Sequence, residues 1–160
     1  MNPAHRRYLA IETALSIAIN AILSLAFVFL VFGGRNMITP AELIRDGMVQ
    51  SFAIALMTTI VPTLLTRRRL RAGSVEPLHE GGNGWTRNLL ARALLFALGG
   101  VALGRGVNEL LLPQLRAGDW PFGAALTYKV AFGAALAALF APVVLRLALS
   151  DPVTRTGPRG

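Results

Sequence analysis

Four long segments that carry almost no charge constrain the fold of this chain more than any other feature. Residues 13–34 and 47–66 hold no charged residue, 89–112 is apolar but interrupted by charge, and 128–149 has charges only near its ends. A helix needs about 20 apolar residues to cross the ~30 Å hydrocarbon core of a bilayer. Such helices are apolar on nearly every side, and a small soluble bundle could not bury them. The sequence therefore predicts an all-α membrane protein with four transmembrane helices.

The composition supports this class and argues against catalysis. Of the 160 residues 54% are hydrophobic and 15% are charged, whereas soluble domains carry about 25% charged residues. The chain has no cysteine, which excludes disulfides, cysteine-ligated metals and thiol nucleophiles. His5 and His79 are isolated, and no spacing of nucleophilic, paired acidic or metal-ligating residues is present. We therefore expect no enzyme activity, no cofactor and no metal.

The distribution of arginine predicts the orientation. Sixteen basic residues against eight acidic ones give a net charge of +8, and most arginines flank the same ends of the four segments. The positive-inside rule then places both termini and the middle loop in the cytoplasm, in a protein of the cell inner membrane. The basic run of the middle loop is expected to contact lipid headgroups, and nucleic acid is not expected as a partner; the run contains Arg67, Arg68, Arg69 and Arg71.

The first segment has an alternative interpretation as a cleaved signal peptide, because Arg6 and Arg7 precede it. Its apolar run is longer than the usual 7–15 residues, and no A-x-A cleavage site follows. We therefore expect it to remain as the first membrane span.

The predicted outer loops carry two local signals. Thr39, Pro40 and Glu42 have the pattern of a capped helix start, and Gly47 can end that helix. A short helix on the outer surface is therefore expected before the second span. Trp120 is expected at the outer interface as part of an aromatic belt.

A shift of 80 residues aligns the two halves of the chain and places Pro62 over Pro142. The match predicts two parallel two-helix repeats, about 7–66 and 87–149, joined by a cytoplasmic linker over 67–88. Each proline removes a helical hydrogen bond, so the second and fourth helices are expected to bend there.

The repeats together predict a single four-helix transmembrane domain over residues 1–150. The segment that follows, residues 151–160, has little packing potential and is expected to be a flexible tail.

Polar residues recur every four positions along the first segment, namely Glu12, Ser16, Asn20 and Ser24. This spacing puts them on one face, which should turn from lipid toward the other helices. The stripe has two interpretations: hydrogen bonds that fix helix packing, or the wall of a polar path through the bundle.

The third segment carries Arg105, Asn108 and Glu109 within an otherwise apolar run. Arg105 and Glu109 are four residues apart and can pair along the helix surface. The pair has three interpretations: a tether to outer headgroups, a structural ion pair between helices, or a site that handles anions or protons.

Small residues at four-residue spacing predict close helix contacts. Gly100 and Gly104 lie in the third segment, and Gly133 and Ala137 lie in the fourth. We expect the third and fourth helices to pack on each other through these faces, or one of them to form a dimer seam.

These features favour a small inner-membrane protein with a non-enzymatic structural or accessory role, exerted through helix–helix contacts in the bilayer. The alternative is a small oligomeric permease or channel-like transporter that uses the stripe on the first helix and the Arg105–Glu109 pair. A lipid- or ligand-binding sensor is a third interpretation that rests on the basic loop alone. The expected partners are membrane lipids and either further copies of the chain or another membrane protein.

Overall fold

The structure is a computed structural model that describes residues 3–78 and 88–151. Within these residues the chain forms four long helices, each long and apolar enough to cross a membrane. The helical class and the four candidate spans predicted from the sequence are thus confirmed, and they support a multi-pass membrane protein. The helices are α1 (Pro3–Phe32), α2 (Pro40–Arg71), α3 (Leu89–Leu115) and α4 (Phe122–Leu149). The predicted tail beyond Asp151 and most of the second half of the predicted linker lie outside the described residues.

The start of α2 has the predicted cap, but the helix does not stop where a stop was expected. The Thr39 hydroxyl accepts from the Glu42 backbone N–H at 3.3 Å, and the Glu42 carboxylate accepts from the Thr39 N–H at 2.9 Å. The helix then continues through Gly47 to Arg71, so the prediction of a separate short surface helix was wrong. Gly47 instead allows close packing, because a Cβ there would collide with the Asn108 side chain of α3.

Two short strands, β1 (Met37–Ile38) and β2 (Trp120–Pro121), join the loops at one end of the bundle. They pair antiparallel, with Met37 opposite Pro121 and Ile38 opposite Trp120. This contact was not predicted from the sequence. Trp120 is only 4% exposed and packs in a core cluster with Ile38 and Leu112, so its predicted place in an aromatic belt was wrong. We call this end of the bundle the strand end and the opposite end, which carries Arg67–Arg71, the basic end.

The bundle has a centre and a periphery. Helices α2 and α4 contact each other, α1 packs on α4, and α3 packs on α2. The outer helices α1 and α3 are therefore the least buried of the four. Pro62 lies inside α2 and Pro142 inside α4, and both helices continue past them without a break.

The small residues form close contacts with helices other than those expected. A Cβ at Gly104 would collide with Ser51 of α2, and a Cβ at Gly100 would collide with Ala55 of the same helix. A Cβ at Gly133 of α4 would collide with Ser24 of α1. The prediction that α3 and α4 meet through these faces was therefore wrong, because each face is occupied by a different helix. Ala137 is fully buried in a cluster with Ile54, Phe132 and Leu136.

Candidate functional site

The polar stripe of α1 lies inside the bundle, as its four-residue spacing predicts. Glu12, Ser16, Asn20 and Ser24 are all less than one-tenth exposed. Three of them reach polar side chains of α2, which makes the α1–α2 boundary a line of buried polar groups.

The middle of this line depends on two side-chain amides. Asn20 Nδ2 of α1 donates to the Ser16 carbonyl at 2.8 Å and to Thr58 Oγ1 of α2 at 3.3 Å. Gln50 Nε2 of α2 donates to Ser24 Oγ at 2.8 Å and to the Lys129 carbonyl of α4 at 3.0 Å. Both amide oxygens are buried and accept no hydrogen bond from the part of the chain that the structure describes. Each amide therefore links helices and keeps a free acceptor.

Toward the strand end the line terminates in a buried ion pair between Lys129 of α4 and Asp46 of α2. The Lys129 side chain has no exposed surface, and that of Asp46 is 13% exposed. Isolated charges are very costly to bury, so the pairing is what allows Lys129 to sit there.

The sequence did not indicate this pair, because both residues lie near the ends of their apolar segments, where a charge is expected to belong to a loop. The spacing on α2 contained a signal. Asp46 lies four residues before Gln50 and twelve before Thr58, so the three share a polar face that runs beside the stripe of α1.

A cavity of about 600 Å³ at the strand end reaches Asp46, the acidic member of the ion pair. Its walls include Phe32, Arg35, Glu42 and Arg45, and Asp46 contributes to its lining. Arg35 donates to Glu42 at 2.6 Å, and this hydrogen bond raises the pKa of Arg35. The cavity is thus lined by charges of both signs and ends beside the buried carboxylate.

At the basic end the line terminates in a second ion pair, between Glu12 of α1 and Arg69 of α2. The Arg69 guanidinium also lies 5.4 Å from the centre of the Tyr8 ring, and the Tyr8 hydroxyl is 2.9 Å from Thr66 Oγ1. Glu12 is therefore neutralised by the basic run itself.

A second carboxylate at the basic end joins three elements. Asp151, just after α4, accepts from Arg67 of α2 at 2.8 Å and from Arg92 of α3 at 2.6 Å. Of the four arginines predicted to contact headgroups, Arg67 and Arg69 bind carboxylates of this chain, and Arg68 and Arg71 are exposed. Headgroup contact by these residues stays a prediction.

The polar residues of α3 separate onto two faces. Arg105 Nε donates to Glu109 Oε1 at 2.7 Å, and these side chains are 60% and 46% exposed. Asn108 is fully buried, donates to the Gly104 carbonyl at 2.5 Å and accepts from the Tyr128 hydroxyl at 2.9 Å. The predicted ion pair is present, but it points away from the bundle and does not share a route with the stripe of α1.

No cluster of three or more metal-ligating residues occurs in residues 3–78 and 88–151. No protein-family model matches the sequence, and no curated protein or solved structure is significantly similar to it. The functional conclusion therefore rests on the geometry described above.

Proposed function

We propose that this chain is a small, non-enzymatic inner-membrane protein with an accessory role, exerted through helix–helix contacts in the bilayer. The proposal rests on a difference in chemistry between the inward and outward faces of its helices. Several polar and charged groups inside the bundle bond to other helices of the same chain, as in Asp46–Lys129, Asn20–Thr58 and Gln50–Ser24. The outward faces of the peripheral helices carry large apolar side chains and one exposed ion pair.

The interior bonds support a rigid scaffold. The Asp46–Lys129 pair joins α2 to α4, and the Asn20–Thr58 hydrogen bond joins α1 to α2. Hydrogen bonds between membrane helices average about 0.6 kcal/mol each, so several are needed to hold a small bundle in one arrangement.

The outward faces supply the surface for a partner. On α1, Ile22 and Leu30 are 66% and 81% exposed, and on α3, Leu98 and Leu110 are 57% and 73% exposed. Lipid covers such side chains as readily as protein does, so packing shape and polar groups must select a protein partner.

We further propose that the chain spans the membrane as two consecutive, parallel two-helix repeats, with both termini in the cytoplasm. Close contacts support the repeat: Ser24 of α1 meets Gly133 of α4, and Ser51 of α2 meets Gly104 of α3. In the repeat, Ser24 corresponds to residue 104 and Gly133 corresponds to residue 53, 80 positions away in each case. The equivalent of the first contact therefore joins residues 104 and 53, and the observed contact of Gly104 with Ser51 differs from it by two positions. The arginines of the basic end support the orientation.

Photocross-linking in the native membrane tests the accessory role. Benzoylphenylalanine at Ile22 or Leu98 is expected to give discrete protein adducts on illumination, because these side chains face outward in the apolar part of the bundle. The matched control places the probe at Met37, which is 47% exposed in the strand-end loop. Adducts equal to this control, or none at either helix position, would overturn the proposal.

A second candidate, a small oligomeric permease or channel-like transporter, is favoured by one observation. The strand-end cavity is lined in part by Asp46, the ion-pair partner of Lys129, and buried polar groups continue from this pair through Gln50 and Ser24 to Asn20. Intramembrane ionisable residues with such access are candidates for ion or proton handling.

Purified protein in liposomes tests this candidate through proton flux driven by a potassium diffusion potential. The permease interpretation expects a flux that Asp46→Asn abolishes and Glu109→Gln leaves unchanged, because Glu109 faces outward. A flux equal to that of empty liposomes would remove the candidate.

A further inference from the structure

The Arg105–Glu109 pair lies at a depth where charge is costly. Helix α3 has 27 residues, about 40 Å at 1.5 Å per residue, which exceeds the ~30 Å hydrocarbon core by roughly 5 Å at each end. Arg105 lies ten residues before the end of α3 at Leu115, and Glu109 lies six before it. When the helix is centred in the bilayer, their Cα atoms are therefore about 10 Å and about 4 Å inside the hydrocarbon boundary at the strand end.

In a single copy of the chain, none of the described helices packs over this pair. Charged side chains within a membrane almost always face the bundle interior or a water-filled cavity, whereas these two are 60% and 46% exposed on the outward face. Extension toward the nearer headgroups is hindered for Arg105. The Cα–Cβ bonds of a helix tilt toward its N-terminus, which for α3 is the basic end.

Small residues surround the pair on the same face. At 100° per residue, Gly99, Ala102 and Gly106 project on the same side of α3 as Arg105 and Glu109. A Cβ at Gly99 or Gly106 would meet no atom within 4 Å. The face is therefore shallow beside the charges, and another helix backbone can approach it closely.

We propose that this face of α3 is a dimer seam occupied by α3 of a second copy of the chain, an inference that rests on the proposed role through helix–helix contacts. Two copies inserted in the same orientation are related by a two-fold axis along the membrane normal, so their α3 helices run parallel. Arg105 of each copy then lies at the depth of its equivalent, one helical turn from Glu109 of the partner subunit. Each carboxylate accepts from its own arginine and from that of the other copy.

Charge complementarity selects a second copy as the occupant. The Glu109 side chain leans toward the N-terminus of α3, and its carboxylate lies 2.7 Å from Arg105 Nε, so the two charged groups of one copy are at nearly the same depth. A two-fold axis along the membrane normal then places positive and negative groups in alternation around itself, and each carboxylate faces two guanidinium groups. A two-fold interface is self-complementary, so one surface serves both partners. The resulting ring of four charges is neutral, and the two helices cover it from lipid.

Disulfide cross-linking in the native membrane tests the seam. The chain has no cysteine, so a substitution introduces the only thiol. Ala102→Cys is expected to form a disulfide-linked dimer under mild oxidation. Ile19→Cys on α1 is the control, because it is 47% exposed and, like Ala102, lies thirteen residues from the strand end of its helix. Equal dimer yields for the two variants would overturn the proposal.

The role of the charges is tested in the Ala102→Cys background. Arg105→Glu and Glu109→Arg each create a ring of like charges, and each is expected to lower the dimer yield about tenfold. Co-expression of these two variants is expected to restore cross-linking between the unlike chains, because one supplies only acidic and the other only basic groups. A headgroup tether would not produce this complementation. Failure of the two co-expressed variants to cross-link would therefore overturn the proposal.

The two proposals fail in different ways. A cross-link from the Ala102→Cys variant to a different membrane protein would overturn the second copy as occupant but leave the accessory role standing. The absence of any protein cross-link from the introduced thiol, together with the absence of photoadducts at Ile22 and Leu98, would overturn both.

Discussion

Lys129 of α4 and Asp46 of α2 form an ion pair in which the lysine side chain is completely buried. The two helices at the centre of the bundle are thereby joined near the strand end, one turn from the Gln50 bonds to Ser24 and to the Lys129 carbonyl. A pair of this kind makes each partner strongly dependent on the other, because either charge alone is left uncompensated in a medium of low dielectric constant.

Removal of one member of this pair should therefore cost more than removal of both. Asp46→Leu is expected to lower the free energy of unfolding by about 3–5 kcal/mol, and Asp46→Leu with Lys129→Met by much less. Thermal unfolding in detergent, followed by circular dichroism, measures the difference. Equal losses for the single and double variants would contradict the account.

The α2–α3 contact should depend on the absence of a side chain at Gly104. Gly104→Ala is expected to lower the melting temperature, because its Cβ would collide with the Ser51 hydroxyl. Ser51→Gly in the same chain should restore much of the loss by making room. Gly123→Ala in α4 is the control, since its Cβ would meet no atom within 4 Å, and it should be neutral or slightly stabilising because alanine favours helix. A similar loss for Gly123→Ala would contradict the packing described.

Asp151 should anchor the end of α4 to α2 and α3. Asp151→Asn removes the carboxylate shared by Arg67 and Arg92, and its side chain is only 5% exposed, so a loss of about 3–5 kcal/mol is expected. Asp119→Asn in the strand-end loop is the control, because Asp119 is exposed and should change stability little. Chemical denaturation of both variants in the same detergent distinguishes these outcomes, and equal midpoints would contradict the anchoring role.

The two ends of the bundle should lie on opposite sides of the membrane. Met37→Cys in the strand-end loop is expected to react with a membrane-impermeant maleimide from the periplasmic side. Arg68→Cys at the basic end should react only after the inner membrane is opened. The reverse labelling pattern would invert the proposed orientation.

The sequence was most informative where the signal is local and periodic. Four apolar segments predicted the four helices, the four-residue spacing of Glu12 to Ser24 predicted the buried face of α1, and the capping pattern at Thr39 predicted the start of α2. Each of these depends on residues within a few helical turns, so neighbours along the chain contain the information.

Features that depend on distant residues were missed or misplaced. The Asp46–Lys129 pair joins positions 83 residues apart. Near the end of an apolar segment, the sequence also does not distinguish a charged residue in a loop from one buried in the bundle. The partners of Gly104 and Gly133 could not be read from their spacing, because a small residue permits close approach by any helix. The outward direction of Arg105 and Glu109 depends on which face α3 uses against α2.

Native mass spectrometry of the protein released gently from its own membrane tests whether the chain acts through helix contacts. We expect a complex, either two copies of the chain or the chain with another membrane protein, that persists when bound lipid is stripped by collisional activation. A monomer that carries only lipid, at the expression level of the cell, would contradict it.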